Sequence, residues 1–192
     1  MQAADLKRTL LWLSVIVAPW INYAVCNAQD PAEEAAILFR EAQSAFSKEH
    51  YAIAEAKAYK AADLYLGEAQ LYSYAEALLL AVDCHWENGQ KEVCKKGYRT
   101  VVDLCVEHRF KHSRVWSESM LKLAKLYFLS GDSVNADDIL QKSLLRAERY
   151  LPQDHPLLQW AYGYTHDRLL SQGKAEEATR MRHKRLTISV KN

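Results

Sequence analysis

The stretch Ser117 to Pro156, SESMLKLAKLYFLSGDSVNADDILQKSLLRAERYLPQDHP, decides the fold. Met120, Leu123, Ala124 and Tyr127 recur at the i, i+3, i+4, i+7 spacing of one helical face, and Ala136, Ile139, Leu140, Leu144 and Ala147 repeat that pattern. Between them lies Ser130-Gly131-Asp132-Ser133. Gly131 supplies the positive φ that closes one helix, and Asp132 or Ser133 accepts the free amide hydrogens that begin the next. The stretch predicts two antiparallel amphipathic helices joined by a tight turn.

The same pattern extends in both directions. Asp30-Pro31 reads as a helix start, followed by Leu38, Ala42, Ala45 and Phe46, then a break at Lys48 to His50 and a helix through Tyr51, Ala54, Ala58, Ala61 and Ala62. A second hairpin begins near Glu68, turns at Asn88-Gly89 and resumes through Val93, Cys94, Tyr98, Val101 and Val102 towards His108. The last begins at His155-Pro156, turns at Gln172-Gly173 and continues from Ala175 to near Ile188. No alternating β-branched run reaches strand length, so the expected class is all-α.

Gly89, Gly131 and Gly173 stand 42 residues apart, and Glu49 lies 40 residues before Gly89. A period of that size marks a stacked-repeat solenoid, because one hairpin cannot bury its own apolar stripe and needs a neighbour. Leu123-Ala124, Leu126-Tyr127, Gly131, Ala136, Leu140 and Leu144 occupy packing positions, and Leu151 to Pro156 forms the loop to the next unit. On these residues the chain resembles the tetratricopeptide repeats, in the longer form seen in kinesin light chains and many bacterial interaction proteins. The resemblance implies a right-handed superhelical solenoid of about four antiparallel hairpins, with units near 31–67, 68–110, 114–152 and 155–188 in one domain of residues 29–192. The units depart from the pattern where Glu49 replaces the turn glycine, Cys94 the small alanine and Arg182 the residue matching Leu140.

Stacking of this kind lines an inner wall with the first helix of each hairpin. One recurrent position on that wall is filled by Phe46, Trp86, Phe128 and Leu170, a ladder that suits peptide anchors. The same side chains would serve equally as core between repeats. Asp83, Lys125 and Asp167 are the polar candidates for orienting a partner there. The expected partner is a protein or peptide segment.

Residues 1–28 read as a targeting segment. Lys7 and Arg8 precede the apolar Leu10 to Ala18, Pro19 breaks the helix, and Cys26-Asn27-Ala28 suits cleavage before Gln29. Export is expected whether the segment is removed or kept as an anchor, and only an uncleaved segment would hold the protein to a membrane. Val25 stands where lipidation of Cys26 would need a small residue.

The formal net charge of +1 argues against a nucleic-acid partner, which would require a basic excess to displace counterions. Charge is uneven, however: residues 29–78 hold nine acids and four bases, whereas 174–192 hold six bases and two acids. Self-association end to end is therefore the alternative expectation. His108 and His112 have the i, i+4 spacing of a zinc pair, but Arg109 and Lys111 would repel a cation. No phosphate-cradling glycine loop or nucleophile elbow occurs, so neither catalysis nor a small-molecule cofactor is expected, and a hydrolase with an unrecognised site is the least favoured reading. Cys84 and Cys94 lie five residues on either side of Gly89, where antiparallel helices would set them side by side for a disulfide across the turn, the alternative being two buried thiols that pack as small hydrophobes, with Cys105 left over.

Overall fold

The structure is a computed structural model that describes residues 30–189. Residues 1–28, read from the sequence as a targeting segment, lie outside the described residues. Eight helices and no strand occur among them: α1 (Pro31–Ser47), α2 (Tyr51–Gly67), α3 (Leu71–Glu87), α4 (Lys91–Glu107), α5 (Arg114–Leu129), α6 (Ser133–Tyr150), α7 (Pro156–Ser171) and α8 (Ala175–Ser189). Each helix packs on the next in sequence, giving four antiparallel hairpins. Across hairpins α1 lies against α3, α3 against α5 and α5 against α7, with no equivalent approach between the second helices. The first helices are thus drawn together on the inner side of a curved stack, as a superhelical solenoid requires.

Helix ends are set locally. Asp30 caps α1 by accepting from the amide of Ala32 at 3.0 Å, Ser113 caps α5 through Trp116, and Asp132 caps α6 through Asn135 at 3.1 Å. Of the two capping candidates read from the central stretch, Asp132 is the one used. Every hairpin turn is closed by one left-handed residue: Glu49, Gly89, Gly131 or Gly173. Its amide donates three residues back, to the carbonyl of Phe46, Trp86, Phe128 or Leu170, and the following amide reaches one residue further. The recurrent position read from sequence is therefore one structural register.

Two further left-handed residues, Ala69 and Arg109, close α2 and α4 with the same hydrogen-bond pattern. Neither is glycine, so the chain carries Cβ strain at both, as it does at Glu49. The link from α6 to α7 differs: Leu151 is extended and Pro152 follows, so no left-handed residue is used.

The core changes character along the stack. The first hairpin meets α3 through small residues in three tiers: Ala35, Ala61, Ala62 and Ala77; then Ala42, Ala58 and Ala81; then Ala45, Ala54 and Cys84. From α3 to α7 larger side chains take over, with Tyr98, Val101, Val115, Leu121 and Leu158 almost wholly enclosed. Gly97 permits the close approach of α4 to α3, since a Cβ there would stand 2.5 Å from the Val82 side chain. α5 is the most enclosed helix, buried continuously from Val115 to Leu121.

This packing corrects the cysteine expectation. Cys84, Cys94 and Cys105 are all buried free thiols, and the bridge expected between Cys84 and Cys94 is not formed in the structure. Cys84 stands in for an alanine in the third tier against α1 and α2, whereas Cys94 belongs to the larger core and its Sγ donates to the carbonyl of Val82 at 3.7 Å. Five residues on either side of the turn does place both on packed faces, but not on the same one.

Candidate functional site

Four of the candidate residues, Phe46, Asp83, Trp86 and Lys125, come together around a cleft of about 280 Å³ on the inner side of the stack. Phe46 ends α1, Asp83 and Trp86 lie on the last turns of α3, Lys125 is on α5, and Leu157 of α7 completes the apolar lining. All four first helices thus contribute to one cavity. Phe46 meets Tyr51 edge-on, with centroids 5.4 Å apart, and the Lys125 ammonium lies 5.6 Å from the centroid of Trp86.

The polar floor of this cleft is built by residues that sequence reasoning did not select. Lys122 donates to both Asp83 oxygens at 2.7 and 2.6 Å, and Tyr98 donates its hydroxyl to Asp83 at 2.8 Å. Burial pushes the Asp83 carboxyl above the usual carboxylate range, and the Lys122 ammonium and Tyr98 hydroxyl pull against it. One helical turn before Lys122, Glu118 accepts from Arg114 at 2.9 Å and has the imidazole of His155 3.7 Å away. Burial alone would raise the Glu118 carboxyl, but His155, Lys122 and Arg114 together hold it below its ordinary value. Arg114 in turn reaches Glu76 on α3 at 2.8 Å, so a continuous charged seam fastens α5 to α3.

A second cleft, of about 450 Å³, holds Phe128 and Asp167. Phe128 is 41% exposed and packs edge-on against Tyr164 at 5.0 Å, while Trp160 stacks on Tyr164 at 5.7 Å. Arg168 pairs with Asp137 of α6 through Nε, at 3.0 Å, and through a second guanidinium nitrogen; Tyr164 donates to the same carboxylate at 2.7 Å. Although burial opposes it, these contacts hold Asp137 below the ordinary carboxylate range. Asp167 is 80% exposed, and its carboxylate lies 2.9 Å from the imidazole of its neighbour His166. Leu170, the last member of the ladder, is half exposed and lines neither cleft.

The ladder of four therefore divides into two aromatic clefts and one open leucine. Trp160, Tyr164, Lys122 and Tyr98 went unselected because none shares the register of Phe46 and Trp86; the one available signal was the aromatic pair Trp160 and Tyr164 at i, i+4 on α7. His108 and His112 fall in the turn between α4 and α5, and no group of three metal-ligating side chains forms among the described residues. Nor is any described helix long and apolar enough to cross a membrane.

No protein-family model matches the chain, and no curated protein matches it in sequence. Solved structures do. The chain is similar to the Rap conjugation gene regulator of the plasmid pLS20, solved with the Phr* peptide, at 13% identity and a TM-score of 0.67, covering 86% of this chain and 44% of that one. It is similar to the apo form of RapI at 13% identity and a TM-score of 0.70, covering 98% and 67%. A putative kinesin light chain of Podosopora anserina with nearly identical TPR-like repeats gives 14% identity and a TM-score of 0.59, covering 89% and 82%. The chain thus spans less than half of the first regulator. At such low identities these likenesses speak to fold alone, and the fold is that of the tetratricopeptide-like helical-repeat solenoids.

Proposed function

We propose that the protein is an exported, non-catalytic adaptor that binds a peptide or protein segment along the inner face of its helical stack. The observation that carries this reading is the convergence of Phe46, Trp86, Asp83 and Lys125, one or more from each of α1, α3 and α5, on a single cleft closed by Leu157 of α7. A cavity of about 280 Å³ with aromatic walls and a few fixed charges accepts one or two side chains of an extended segment. The Rap regulator of pLS20, with a similar fold, was solved holding a peptide, which supports the same use of this architecture.

The competing reading, assembly end to end through opposite charge, draws less support. Two acids of the first hairpin are engaged within it, Glu34 by Lys60 at 3.0 Å and Glu41 by Lys57 at 2.5 Å, and Glu55 faces His85 of the second hairpin at 3.6 Å. The test is capture of a partner from the exported fraction by residues 29–192, compared with the Lys125→Glu variant. Lys125 is partly exposed and supports no buried contact beyond the face of Trp86, so its reversal leaves the fold intact. Loss of the partner at unchanged melting temperature supports the inner-face reading; a partner retained in full overturns it.

A further inference from the structure

The second cleft sets a guanidinium beside an open aromatic wall, whereas in the first the Lys125 ammonium lies over the ring of Trp86. Arg168 is paired with Asp137 through two of its nitrogens, but Arg185 of α8 lines the same cleft and has no carboxylate partner among the described residues. Its position depends on Gly163. A Cβ built on that residue would stand 3.0 Å from one guanidinium nitrogen of Arg185 and 3.4 Å from its central carbon, so the guanidinium lies directly across the bare backbone of α7. A glycine inside a helix costs about 1 kcal/mol relative to alanine, and here the missing methyl is what lets the charge sit beside the aromatic wall.

That wall is open. Phe128 leaves much of its ring exposed, and Trp160 and Tyr164 stack behind it to give a continuous apolar surface beside Arg185. Charge complementarity selects the occupant. The segment around α8 is net basic, because Lys174, Arg180, Arg182, Lys184 and Arg185 outnumber Glu176 and Glu177 at its start, and Asp167 at the rim is turned to His166. An anionic group is attracted to Arg185 and kept from the Asp167 side.

We infer that this cleft binds an internal acidic-apolar pair of a partner segment: a large apolar side chain against Phe128, Trp160 and Tyr164, with a neighbouring Asp or Glu side chain on Arg185. The inference rests on the peptide-binding reading and names the chemistry that this second cleft selects. A guanidinium on the flank of an apolar pocket prefers a carboxylate to its amide isostere, because the charged hydrogen bond is the stronger.

The test is selection of random linear dodecapeptides, displayed through their C-termini so that no free carboxylate end is presented, on residues 29–192. Selected clones are expected to carry Asp or Glu within two positions of Phe, Leu, Ile, Met or Trp. Their synthetic, end-capped versions should lose about tenfold in affinity on Arg185→Gln, and replacing the acid by its amide should then cost nothing further. Gly163→Ala should weaken the same peptides while leaving the melting temperature level or raised, since the side chain it displaces is flexible and the helix gains propensity. Peptides that lack an acid, or that bind Arg185→Gln as tightly as the parent, overturn this ligand assignment and leave the peptide-binding reading standing. Failure of any peptide to enrich above background overturns both.

Discussion

Lys122 on α5 spans two hairpins to place its ammonium within 2.7 Å of both carboxylate oxygens of Asp83 on α3. Both side chains are less than one-fifth exposed, so each has given up most of its hydration for the other. Removing one partner strands the second, and Lys122→Met should therefore destabilise the fold by roughly 2 to 4 kcal/mol. The double variant Asp83→Leu with Lys122→Met should recover most of that loss. Urea midpoints of both single variants and the double variant check this, and a double-variant loss equal to the sum of the two single losses would mean that the two charges are not coupled.

The same seam sets an acid dependence. Glu118 has a folded-state pKa below its unfolded one, so its contribution is present above the ordinary carboxylate pKa and disappears as pH falls through the depressed value. Asp83 acts in the opposite sense, because a raised carboxyl favours the folded state more as it gains a proton. Glu118→Gln should lower stability near neutrality by roughly 1 to 3 kcal/mol and make the acid limb of the stability curve shallower. Denaturant titrations from neutral pH into the acid range provide the measurement.

The cysteines should behave as small core residues. Burial pushes the Cys84 and Cys105 thiols up to about 12 and Cys94 up to about 11, which leaves little thiolate at neutral or mildly alkaline pH. Native protein should resist alkylation, unfolded protein should react at all three, and an unreduced digest should contain no peptide linking Cys84 to Cys94. Detection of that linked peptide would contradict the packing.

Backbone strain and close approach give a pair of opposed expectations. Ala69→Gly relieves a left-handed alanine at φ 54° and should stabilise by about 1 kcal/mol. Gly97→Ala drives a methyl into Val82 and should destabilise by about 1 to 3 kcal/mol, since the β-branched neighbour has no flexible end to yield. Thermal melts of the two variants should move in opposite directions.

Trp86 and Phe128 share a register but not a surrounding. Trp86 is half-buried and packs against the main core, so Trp86→Ala should cost about 3 kcal/mol of stability along with binding at the first cleft. Phe128 is more open, and Phe128→Ala should cost about 1 kcal/mol while weakening peptides at the second. Melting temperature and peptide affinity measured on both variants would separate the two roles.

Helical spacing, capping residues and turn glycines determined the helices and their pairing into hairpins, because these are local properties: Asp132 caps α6 and Gly131 closes α5 through neighbours only a few residues away. The register of Phe46, Trp86, Phe128 and Leu170 was legible for the same reason, since each precedes a left-handed turn residue by three. The identical turns at Ala69 and Arg109 were not, because their left-handed backbone is imposed by the packing of flanking helices on residues that would not choose it. Which face each side chain meets was likewise decided only in three dimensions. Cys84 turned to the alanine tiers and away from Cys94, Asp83 met Lys122 across 39 residues of chain, and Arg185 reached Phe128's cleft by crossing Gly163. Periodicity assigns a residue to a helix and a stripe, but the angle at which one hairpin settles on the next follows from side-chain volumes summed over the whole interface.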